Sequence, residues 1–439
     1  MSARCVAVAV SGGRDSMALL HATLRAAAQV GIRVAALHVH HGLQPQAEQW
    51  LGELQRRCKR WARDGAALSF HWRRLQGRPA ASESVEAWAR RERYAALGEM
   101  ACEAQASLVL LAHHRRDQAE TFLLQALRGG GAAGLAAMPR SVAREGIAWA
   151  RPWLDMPREA VEAYVRRYRL WHIDDASNDD PRFARNRLRL QVWPSLLQAF
   201  AEAEGSLASA ARRAQQEAAC LEELACMDLA TACDGDSLDI ERWAALSPAR
   251  RANALRAWLR ARAGRGASET LLRRLLDEVP AGRSPARWPA DEGELRRYRG
   301  VLSWSAARAP SMRPDVPATR TIRILGPGRF LLPAWGGVLH VEPVHQGGVA
   351  LDRLADARLV PRRGGEQFQH GRHGVARVLK KQYQAAGVAA WRRTGPLLYC
   401  GEQLVFVPGL GVDGRALAPS GVPQVGLRWE PVDMPGETP

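Results

Sequence analysis

The most constraining feature of this sequence lies near its start, where the apolar residues 5–10 lead directly into a Ser-Gly-Gly-Arg-Asp-Ser motif at residues 11–16. An apolar run of this length is typical of a buried strand, and a helical pattern begins at Asp15. Gly12 and Gly13 allow a sharp turn in which the backbone approaches a ligand without a Cβ in the way. Such a loop directs backbone N–H groups and the positive end of a helix dipole at an anion. We therefore predict a phosphate-binding loop; the alternative is an ordinary glycine-rich turn capped by Asp15.

A second glycine-rich segment, residues 129–134, fits the G-x-G-x-x-G pattern of dinucleotide-binding folds. That pattern needs a strand before it, whereas residues 117–128 have a helical pattern. The sequence also contains no G-x-x-x-x-G-K-[ST] segment, so a Walker-type site is not supported. The loop at residues 11–16 is the better candidate for binding nucleotide phosphates.

Strand-like and helix-like segments alternate from the start of the chain to about residue 190. Further strands are predicted at residues 34–39, 68–72, 108–112 and 147–150, and helices at residues 46–65 and 84–102. This alternation predicts an α/β domain with a parallel sheet covered by helices. Ligands of such sheets lie beyond the carboxyl ends of the strands, where the loop at residues 11–16 falls.

Two further domains are predicted after this first one, which we place at residues 1–190. Residues 191–310 begin with a helical connector and continue with amphipathic, arginine-rich helices and a short strand-like ending. A stretch rich in Pro and Ala at residues 306–319 has the composition of a linker. Residues 320–432 combine short strand-like pieces with one helix near residues 377–385. We predict a helical second domain and a small α+β C-terminal domain.

The charge balance narrows the class of partner. The 439 residues carry a formal net charge of +17, which indicates a polyanionic partner, nucleic acid above all. The seven cysteines are scattered without a C-x-x-C pair, which argues against a zinc ribbon and is typical of reduced thiols. No apolar stretch has the form of a signal peptide or the length of a membrane span. We expect a cytoplasmic protein that does not bind membranes.

Two carboxylates open a predicted helix at the same edge of the sheet as the phosphate-binding loop. Asp117 and Glu120, with Thr121, are spaced to share one helix face. Carboxylates there can hold Mg²⁺ between phosphate oxygens or take up a proton. The alternative is that they only suit the helix dipole. Because the loop falls nearby, we favour the functional interpretation.

Other polar residues are predicted at the same cleft. Arg90 shares a helix face with Glu86, and it either neutralises charge on the phosphates or forms a surface ion pair with Glu86. His38 ends the second predicted strand, a common place for a contact to a base or ribose. The histidines that follow it complete no tightly spaced ligand set, so we do not expect a metal there.

Basic clusters are candidate contacts to nucleic acid. Arg185 and Arg189 close the first domain and are spaced to reach the phosphates of ATP or RNA. The last domain carries a second cluster, Arg377, Lys380 and Lys381, which we predict on one helix against an RNA backbone. Trp391 is a candidate for stacking on an unpaired base. Solvated surface charge is the alternative for both clusters.

Taken in order along the chain, these segments resemble the bacterial tRNA(Ile)-lysidine synthases, members of the PP-loop ATP pyrophosphatase superfamily. The matching motifs of the first domain are residues 11–16, 38–43, 86–94, 113–121, 128–135, 151–154 and 175–189. Residues 377–381 and 394–398 match the C-terminal domain of that family. A PP-loop alone is shared by many enzymes, whereas the ordered set is specific and covers nearly the whole chain.

The resemblance implies a Rossmann-like PP-loop domain and the activity of the family. These enzymes use ATP to adenylate carbon 2 of the wobble cytidine in an isoleucine tRNA with a CAU anticodon. The ε-amine of free L-lysine then displaces AMP, which gives lysidine and changes codon reading from AUG to AUA. The cofactors would be ATP and Mg²⁺, and the partners this tRNA and free lysine. The oligomeric state stays open, a homodimer included.

The resemblance also assigns roles residue by residue. The ATP site would comprise Ser11, Gly12, Gly13, Arg14, Asp15, Ser16, His38 and His113. The reaction centre would comprise Asp15, Arg90, Asp117 and Glu120, with Asp15 and Asp117 placing Mg²⁺. Asp117 and Glu120 are also candidates to bind or deprotonate the lysine amine. The tRNA contacts would be Arg185, Arg189, Arg377, Lys380 and Lys381.

One position departs from the family pattern. Arg116 stands where the family carries the first Asp of its His-His-x-Asp-Asp motif, which reverses the charge beside Asp117. Two alternatives accompany the expected activity. A PP-loop tRNA thiolase would activate the same carbon, but such enzymes usually carry C-x-x-C pairs, which this sequence lacks. A tRNA-binding protein with a decayed catalytic centre is supported only by Arg116.

Overall fold

The computed structural model describes residues 4–40, 46–77, 85–174, 180–264, 266–282, 284–291, 293–306, 319–419 and 421–431. The chain divides into two compact units, Met1–Glu223 and Leu224–Pro439. The motif residues 41–43 and 175–178, the side chain of Glu86 and nearly all of the predicted linker lie outside this description.

The first unit alternates strands and helices from its start, as predicted. Its strands are β1 (Cys5–Ala9), β2 (Arg33–His40), β3 (Leu68–Arg74), β4 (Ala106–Leu110), β5 (Ser141–Arg144) and β6 (Ile147–Ala150). Its helices are α1 (Arg14–Val30), α2 (Ala47–Arg63), α3 (Val85–Glu103), α4 (Arg115–Leu127), α5 (Ala132–Leu135), α6 (Arg158–Tyr168), α7 (Ala184–Arg187) and α8 (Trp193–Ala199). A further helix, α9 (Ala203–Ala232), begins in the first unit and ends in the second. A π-helical segment, Leu188–Val192, joins α7 to α8.

The six strands form one sheet in the order β3-β2-β1-β4-β6-β5. Every neighbouring pair is parallel except β5 and β6. The apolar run of β1 is continuous because both faces of this strand are covered. Ala7 belongs to a core shared with residues of α3, and Val8 to a core shared with residues of α1. This order brings the carboxyl ends of β1, β2 and β4 together, at the edge where α1 and α4 begin.

The second unit contains the remaining strands and helices. Its first part comprises β7 (Cys233–Asp234), β8 (Ser237–Asp239), α10 (Ile240–Ala244), α11 (Pro248–Ala263), α12 (Glu269–Ala281), β9 (Ala286–Ala290), β10 (Gly293–Tyr298) and β11 (Val301–Ala306). Its second part comprises β12 (Arg320–Ile322), β13 (Gly328–Leu332), β14 (Gly337–Val344), β15 (Val349–Ala350), β16 (Ala357–Val360), β17 (Gln367–Phe368), β18 (Arg377–Val378), α13 (Leu379–Ala385), β19 (Leu397–Cys400), β20 (Gln403–Val407), β21 (Gly411–Val412) and β22 (Gln424–Pro431).

The first part of the second unit contains more strand than the sequence predicted. Its strands form a sheet in the order β7-β8-β11-β10-β9, in which every pair is antiparallel. This sheet packs on α10, α11 and α12 around the buried Trp243, Trp258 and Trp288. The sequence predicted only a short strand-like ending here. The polar–apolar alternation of β10 could not be seen in the sequence because a charged residue, Arg297, occupies a buried position. Its guanidinium donates to two carbonyls of α12 at 2.9 and 3.0 Å.

The second part of this unit packs two antiparallel sheets around a shared core. One sheet has the order β12-β16-β19-β20-β21 and the other β13-β14-β22-β15. The β17–β18 pair and α13 complete this α+β domain. No helix in the described part of the chain is both long enough and apolar enough to cross a membrane.

The helix predicted near residues 377–385 begins only at Leu379. Arg377 instead lies in β18, where it pairs with Phe368 of β17. Val378 follows with extended backbone, at φ −51° and ψ 132°. The prediction that Arg377 lies on this helix was therefore wrong, because the valines around it favour a strand and so short a segment carries no decisive helical period.

Candidate active site

The motif at residues 11–16 joins the carboxyl end of β1 to α1 and is held together by its own serines. The Ser16 hydroxyl donates to the Gly13 carbonyl at 2.9 Å and lies 3.1 Å from Ser11 Oγ. The backbone N–H of Ser11 donates to Ser16 Oγ at 3.2 Å. No side chain caps the start of α1, so the first N–H groups of this described helix are available to an anion.

Gly12 is fixed by a segment far along the chain. Its φ of +89° is one that residues with a side chain rarely adopt. Its carbonyl accepts a hydrogen bond from the Ile173 N–H at 2.9 Å. A Cβ on Gly12 would lie 2.5 Å from Ile173 Cδ1. The backbone conformation is the main reason for glycine here, because the Ile173 methyl is the end of a side chain that can rotate away.

His38 lies at the end of β2, where the sequence predicted a contact to ATP. The side chain is buried, and its Nδ1 atom donates to the Val10 carbonyl at 2.8 Å. Burial lowers the pKa of His38, so the ring is neutral and its Nε2 atom is an acceptor. Such an acceptor suits an amino or hydroxyl group of a nucleoside.

His114, which the sequence analysis did not single out, connects two predicted site residues. It precedes α4, and its backbone N–H donates to Asp117 Oδ2 at 3.0 Å. Its Nε2 atom lies 3.5 Å from Asp117 Oδ2 and 3.7 Å from Asp15 Oδ2. Burial opposes a positive charge on this ring, but the two carboxylates raise the pKa of His114. The structure thus brings Asp15 and Asp117 together across a buried imidazole.

Asp15 and Asp117 are the residues predicted to place Mg²⁺. The Oδ1 atom of Asp15 is buried without a hydrogen-bond partner, with Arg14 Nε 3.6 Å away, so it keeps capacity to bind a ligand. Although burial opposes ionisation, His114 and Arg14 lower the pKa of Asp15. The described residues contain no cluster of three or more His, Cys, Asp or Glu side chains suited to a metal. Two carboxylates fit Mg²⁺, which usually completes its shell with water and substrate phosphates.

Glu120 is fully buried and paired with two arginines. Arg189 binds it through two hydrogen bonds, with Nε 2.7 Å from Oε1 and Nη2 2.8 Å from Oε2. Arg185 Nε donates to Oε2 at 3.0 Å. Arg189 Nη2 also donates to Asp117 Oδ1 at 2.9 Å. Removing an arginine would leave the buried Glu120 carboxylate with fewer partners, so this network is a fixed part of the site.

Several cationic side chains act electrostatically on His113. They are Arg90, Arg151 and Arg185, with Arg93 next to Arg90 and Arg185. Arg90 is exposed, and its guanidinium lies 5.1 Å from the centroid of the Tyr94 ring. Burial, together with the positive charges of Arg90 and Arg185, lowers the pKa of Arg93. Burial likewise lowers the pKa of His113 to about 3, so its ring is neutral. Several positive charges that act on one region of the protein favour the binding of an anion there.

Arg116, the residue that departs from the family pattern, has its own partners. Its Nε atom donates to Glu204 Oε2 at 3.0 Å and its Nη2 atom to Glu159 Oε1 at 3.2 Å. Glu204 is buried at the start of α9 and also accepts from Arg115 Nε at 2.9 Å. Arg116 therefore fastens α4 to α9, and the carboxylates predicted to place Mg²⁺ pair with His114 instead.

The remaining predicted tRNA contacts lie in the second unit. Lys380 and Lys381 are exposed on α13, and Arg377 is exposed on β18 just before it. Trp391, predicted to stack on a base, already has protein partners on its ring. The guanidinium groups of Arg296 and Arg287 lie 5.3 and 5.4 Å from the ring centroid, and Tyr298 packs edge-on at 5.8 Å. Trp391 joins the two parts of this unit.

Three protein families match consecutive parts of the chain. The PP-loop domain family matches residues 1–196. The family described as the TilS substrate binding domain matches residues 238–303, and the family described as the TilS substrate C-terminal domain matches residues 357–429. The first match contains the phosphate-binding loop and α4, and the last contains α13.

Whole-length relatives share one name. The tRNA(Ile)-lysidine synthase of Ralstonia nicotianae is 42% identical over 427 residues, which covers 94% of this chain and 90% of the relative. The enzyme of that name from Chromobacterium violaceum is 38% identical and covers 94% and 93% of the two chains. The one from Burkholderia mallei is 37% identical and covers 97% and 93%. A solved structure, the U34-tRNA thiolase NcsA from Methanococcus maripaludis, matches 48% of this chain and 72% of its own with a TM-score of 0.42 and 13% identity.

Proposed function

The chain belongs to the tRNA(Ile)-lysidine synthase family, and on that premise we propose that it is the ligase that forms lysidine in an isoleucine tRNA with a CAU anticodon. It acts in the cytoplasm, where its substrates ATP, free L-lysine and tRNA are present. The wobble cytidine is first adenylated on the oxygen of carbon 2, and the ε-amine of lysine then replaces AMP at that carbon.

The observation that carries this proposal is the meeting of a phosphate-binding loop, two carboxylates and an arginine cluster at one edge of the sheet. The loop offers free N–H groups at the start of α1, and Asp15 and Asp117 lie on either side of His114. Arg90 and Arg185 lie near His113. Together these groups can bind a nucleoside triphosphate and stabilise charge that develops on its phosphates.

The first step requires positive charge near the phosphates, and the second requires a group that binds the amine or accepts its proton. In the first step the cytidine oxygen attacks the α-phosphorus, and the bond to pyrophosphate breaks. Mg²⁺ held by Asp15 and Asp117 would supply positive charge to the phosphate oxygens. In the second step the neutral lysine amine attacks carbon 2, the bond from that carbon to AMP breaks, and the amine loses a proton. Asp117 and Glu120 are the candidate carboxylates for binding the amine or taking that proton.

The second unit supplies part of the tRNA contact in this proposal. Arg377, Lys380 and Lys381 are exposed and adjacent in sequence and structure. Cations placed in this way neutralise successive phosphates of a nucleic acid backbone. Arg185 and Arg189 remain candidates for contacts to tRNA or ATP through the parts of their side chains that stay exposed.

The direct test is the incorporation of radiolabelled lysine into transcribed isoleucine tRNA with a CAU anticodon, in the presence of ATP and Mg²⁺. Methionine tRNA, which has the same anticodon, is the control. We expect label in the isoleucine tRNA alone. Absence of label in a preparation that still binds the tRNA would refute the proposal and favour a decayed enzyme.

The thiolase alternative has less support than lysidine formation. None of the seven cysteines lies in a C-x-x-C pair, and they are spread over both units. The decayed-enzyme alternative depended on Arg116 alone. Because Arg116 pairs with Glu204 and leaves the contact between Asp15 and His114 intact, this residue gives the alternative little support. Sulfur transfer assayed on the same tRNA separates the thiolase from the ligase.

A further inference from the structure

The pairing of Glu120 decides which half of the reaction this carboxylate can serve. Both of its oxygens accept from guanidinium groups, at 2.7, 2.8 and 3.0 Å. Its side chain has 0% exposed surface. A lysine ammonium therefore reaches Glu120 only after an arginine has left a buried ion pair. Because such pairs are costly to separate, Glu120 is poorly suited to bind an incoming amine.

The two arginines, in contrast, are open on one side. The side chains of Arg185 and Arg189 are 32% and 31% exposed. Arg189 Nη2 donates to Asp117 Oδ1 at 2.9 Å, and Arg185 Nη2 donates to the Asp117 carbonyl at 3.0 Å. Asp117 in turn faces Asp15 of the phosphate-binding loop across His114. The guanidinium groups that Glu120 holds therefore lie among the groups predicted to bind ATP.

A guanidinium held by two hydrogen bonds has a fixed orientation before the substrate arrives. Cations fixed in advance stabilise developing phosphate charge without reorganising during the reaction. The Nε and Nη2 atoms of Arg189 are used by Glu120 and Asp117. The other terminal nitrogen, Nη1, has no recorded hydrogen bond within the described residues, so it is the group that can meet a phosphate oxygen.

Resting on the proposed function, we propose that Glu120 is a positioning residue for adenylation. It holds Arg185 and Arg189 toward the ATP phosphates and does not bind the lysine amine. Its loss should therefore slow the release of pyrophosphate and leave the affinity for lysine unchanged.

The test compares Glu120→Gln with the wild-type chain in two assays. The first measures pyrophosphate release from ATP and tRNA without lysine, and the second measures the KM for lysine in the complete reaction. We expect the first rate to fall about 10²–10³-fold, the usual effect of losing one group that stabilises transition-state charge. We expect the KM for lysine to stay within about twofold of wild type. A KM for lysine raised about tenfold, with pyrophosphate release unchanged, would overturn the proposal.

A second variant guards against simple misfolding. Arg189→Lys keeps the positive charge but cannot form the two-point contact, so it should show the same pattern of defects. Because Glu120 acts through the arginines, the double variant should be no slower than the slower single variant. Losses that multiply in the double variant would show independent roles and contradict the inference.

Asp228→Asn provides the matched control. Asp228 is a fully buried carboxylate in the second unit, and it accepts from Arg250 Nε at 3.1 and 3.2 Å. Its neutralisation should leave lysine-free pyrophosphate release within about twofold of wild type. An equal loss in this variant would assign the Glu120 effect to general destabilisation and overturn the inference. A wild-type chain that incorporates no lysine would count instead against the proposed function.

Discussion

Gly12 and Gly13 are neighbours in the phosphate-binding loop, but the structure places different demands on them. Gly12 has a positive φ and is crowded by Ile173. We expect Gly12→Ala to lower the free energy of unfolding by about 1–3 kcal/mol, the usual cost of a strained backbone conformation. The variant should also lose ATP-dependent pyrophosphate release, because a displaced loop no longer presents its N–H groups to the phosphates. Urea unfolding and pyrophosphate release measure the two effects.

Gly13→Ala is the control for this prediction. Gly13 has a φ of −69°, and a Cβ there would lie 3.4 Å from Ser11 Oγ, close to ordinary contact. We expect this variant to unfold near the wild-type midpoint. If both alanine variants were equally unstable, the argument from backbone conformation would fail.

Arg116→Asp restores the residue type usual in the family, and we expect it to damage this chain. The new carboxylate would face the buried Glu204, which now accepts from Arg116 at 3.0 Å. The loss of one partner from a buried ion pair costs about 3–5 kcal/mol. The cost here is smaller, because Arg115 still donates a hydrogen bond to Glu204. Thermal unfolding should show a lower Tm for Arg116→Asp than for the wild-type chain, and an intermediate Tm for Arg116→Gln. A more active and equally stable Asp variant would mean that Arg116 is a catalytic defect.

At the scale of residues, local motifs led to the prediction of the loop, Asp15, Asp117 and Glu120 as site residues, and the structure places these residues close together. The sequence did not predict how they pair. The contacts of Glu120 with Arg185 and Arg189 span 65 and 69 residues of sequence, and no local pattern specifies them. His114 was missed although it directly follows His113 and stands at the start of a predicted helix, a position that could have marked it.

At the scale of elements, the strand predictions for the first domain held for buried β2 and also for β3, an edge strand without a buried residue. All four further strands predicted in the first domain are present. The antiparallel β5 was not predicted, because only Val142 among its four residues is not exposed, and it therefore lacks an apolar run. β10 was missed because the buried Arg297 interrupts its alternation of polar and apolar residues. Arg377 was wrongly predicted on a helix because the segment around it is too short to distinguish a helical from a strand period. In each failure a contact from another element determined the structure.

Asp413 anchors the elements around α13 and yields a prediction at this scale. Its buried carboxylate accepts from the Gln369 N–H at 3.1 Å and from Arg415 Nε and Nη2 at 2.9 and 2.8 Å. We expect Asp413→Asn to reduce the free energy of unfolding by about 2 kcal/mol, because hydrogen bonds to a charged acceptor are lost. Denaturant unfolding of the full chain measures this change.

The control for Asp413 is Asp352→Asn. Asp352 is exposed, and its recorded hydrogen bond within the described residues is from the Arg353 N–H at 2.8 Å. Surface substitutions of this kind usually change stability by less than about 0.5 kcal/mol. Equal effects at the two positions would show that burial of Asp413 contributes nothing.

At the scale of the whole molecule, the net charge of +17 predicted a nucleic acid partner. The family matches and whole-length relatives agree with that prediction. The net charge is counted from the amino-acid composition alone, so this prediction needed no coordinates. Coordinates are needed to tell which basic side chains are exposed and which are used within the protein, as Arg287 and Arg296 against the ring of Trp391 illustrate.

The lysines give a prediction about tRNA binding. The chain has three, Lys59, Lys380 and Lys381, and the last two are adjacent on α13. We expect Lys380→Ala combined with Lys381→Ala to weaken tRNA binding and to reduce the slope of log Kd against log salt concentration by about 1.5, because each phosphate contact releases about 0.7–0.9 of a counterion. Filter binding at several salt concentrations measures the slope. Lys59→Ala, an exposed lysine of α2, should leave it unchanged, and an unaltered slope in the double variant would contradict the assignment.

The cations described around the reaction centre, Arg90, Arg93, Arg151, Arg185 and Arg189, are all arginines. A guanidinium stays protonated in proteins and has no free electron pair to offer. The proposed intermediate is an activated base that waits for an amine. A lysine within reach of that base would bring its own amine, and attack by that amine would cross-link the enzyme to its tRNA. Arginine supplies the positive charge at these positions without that side reaction.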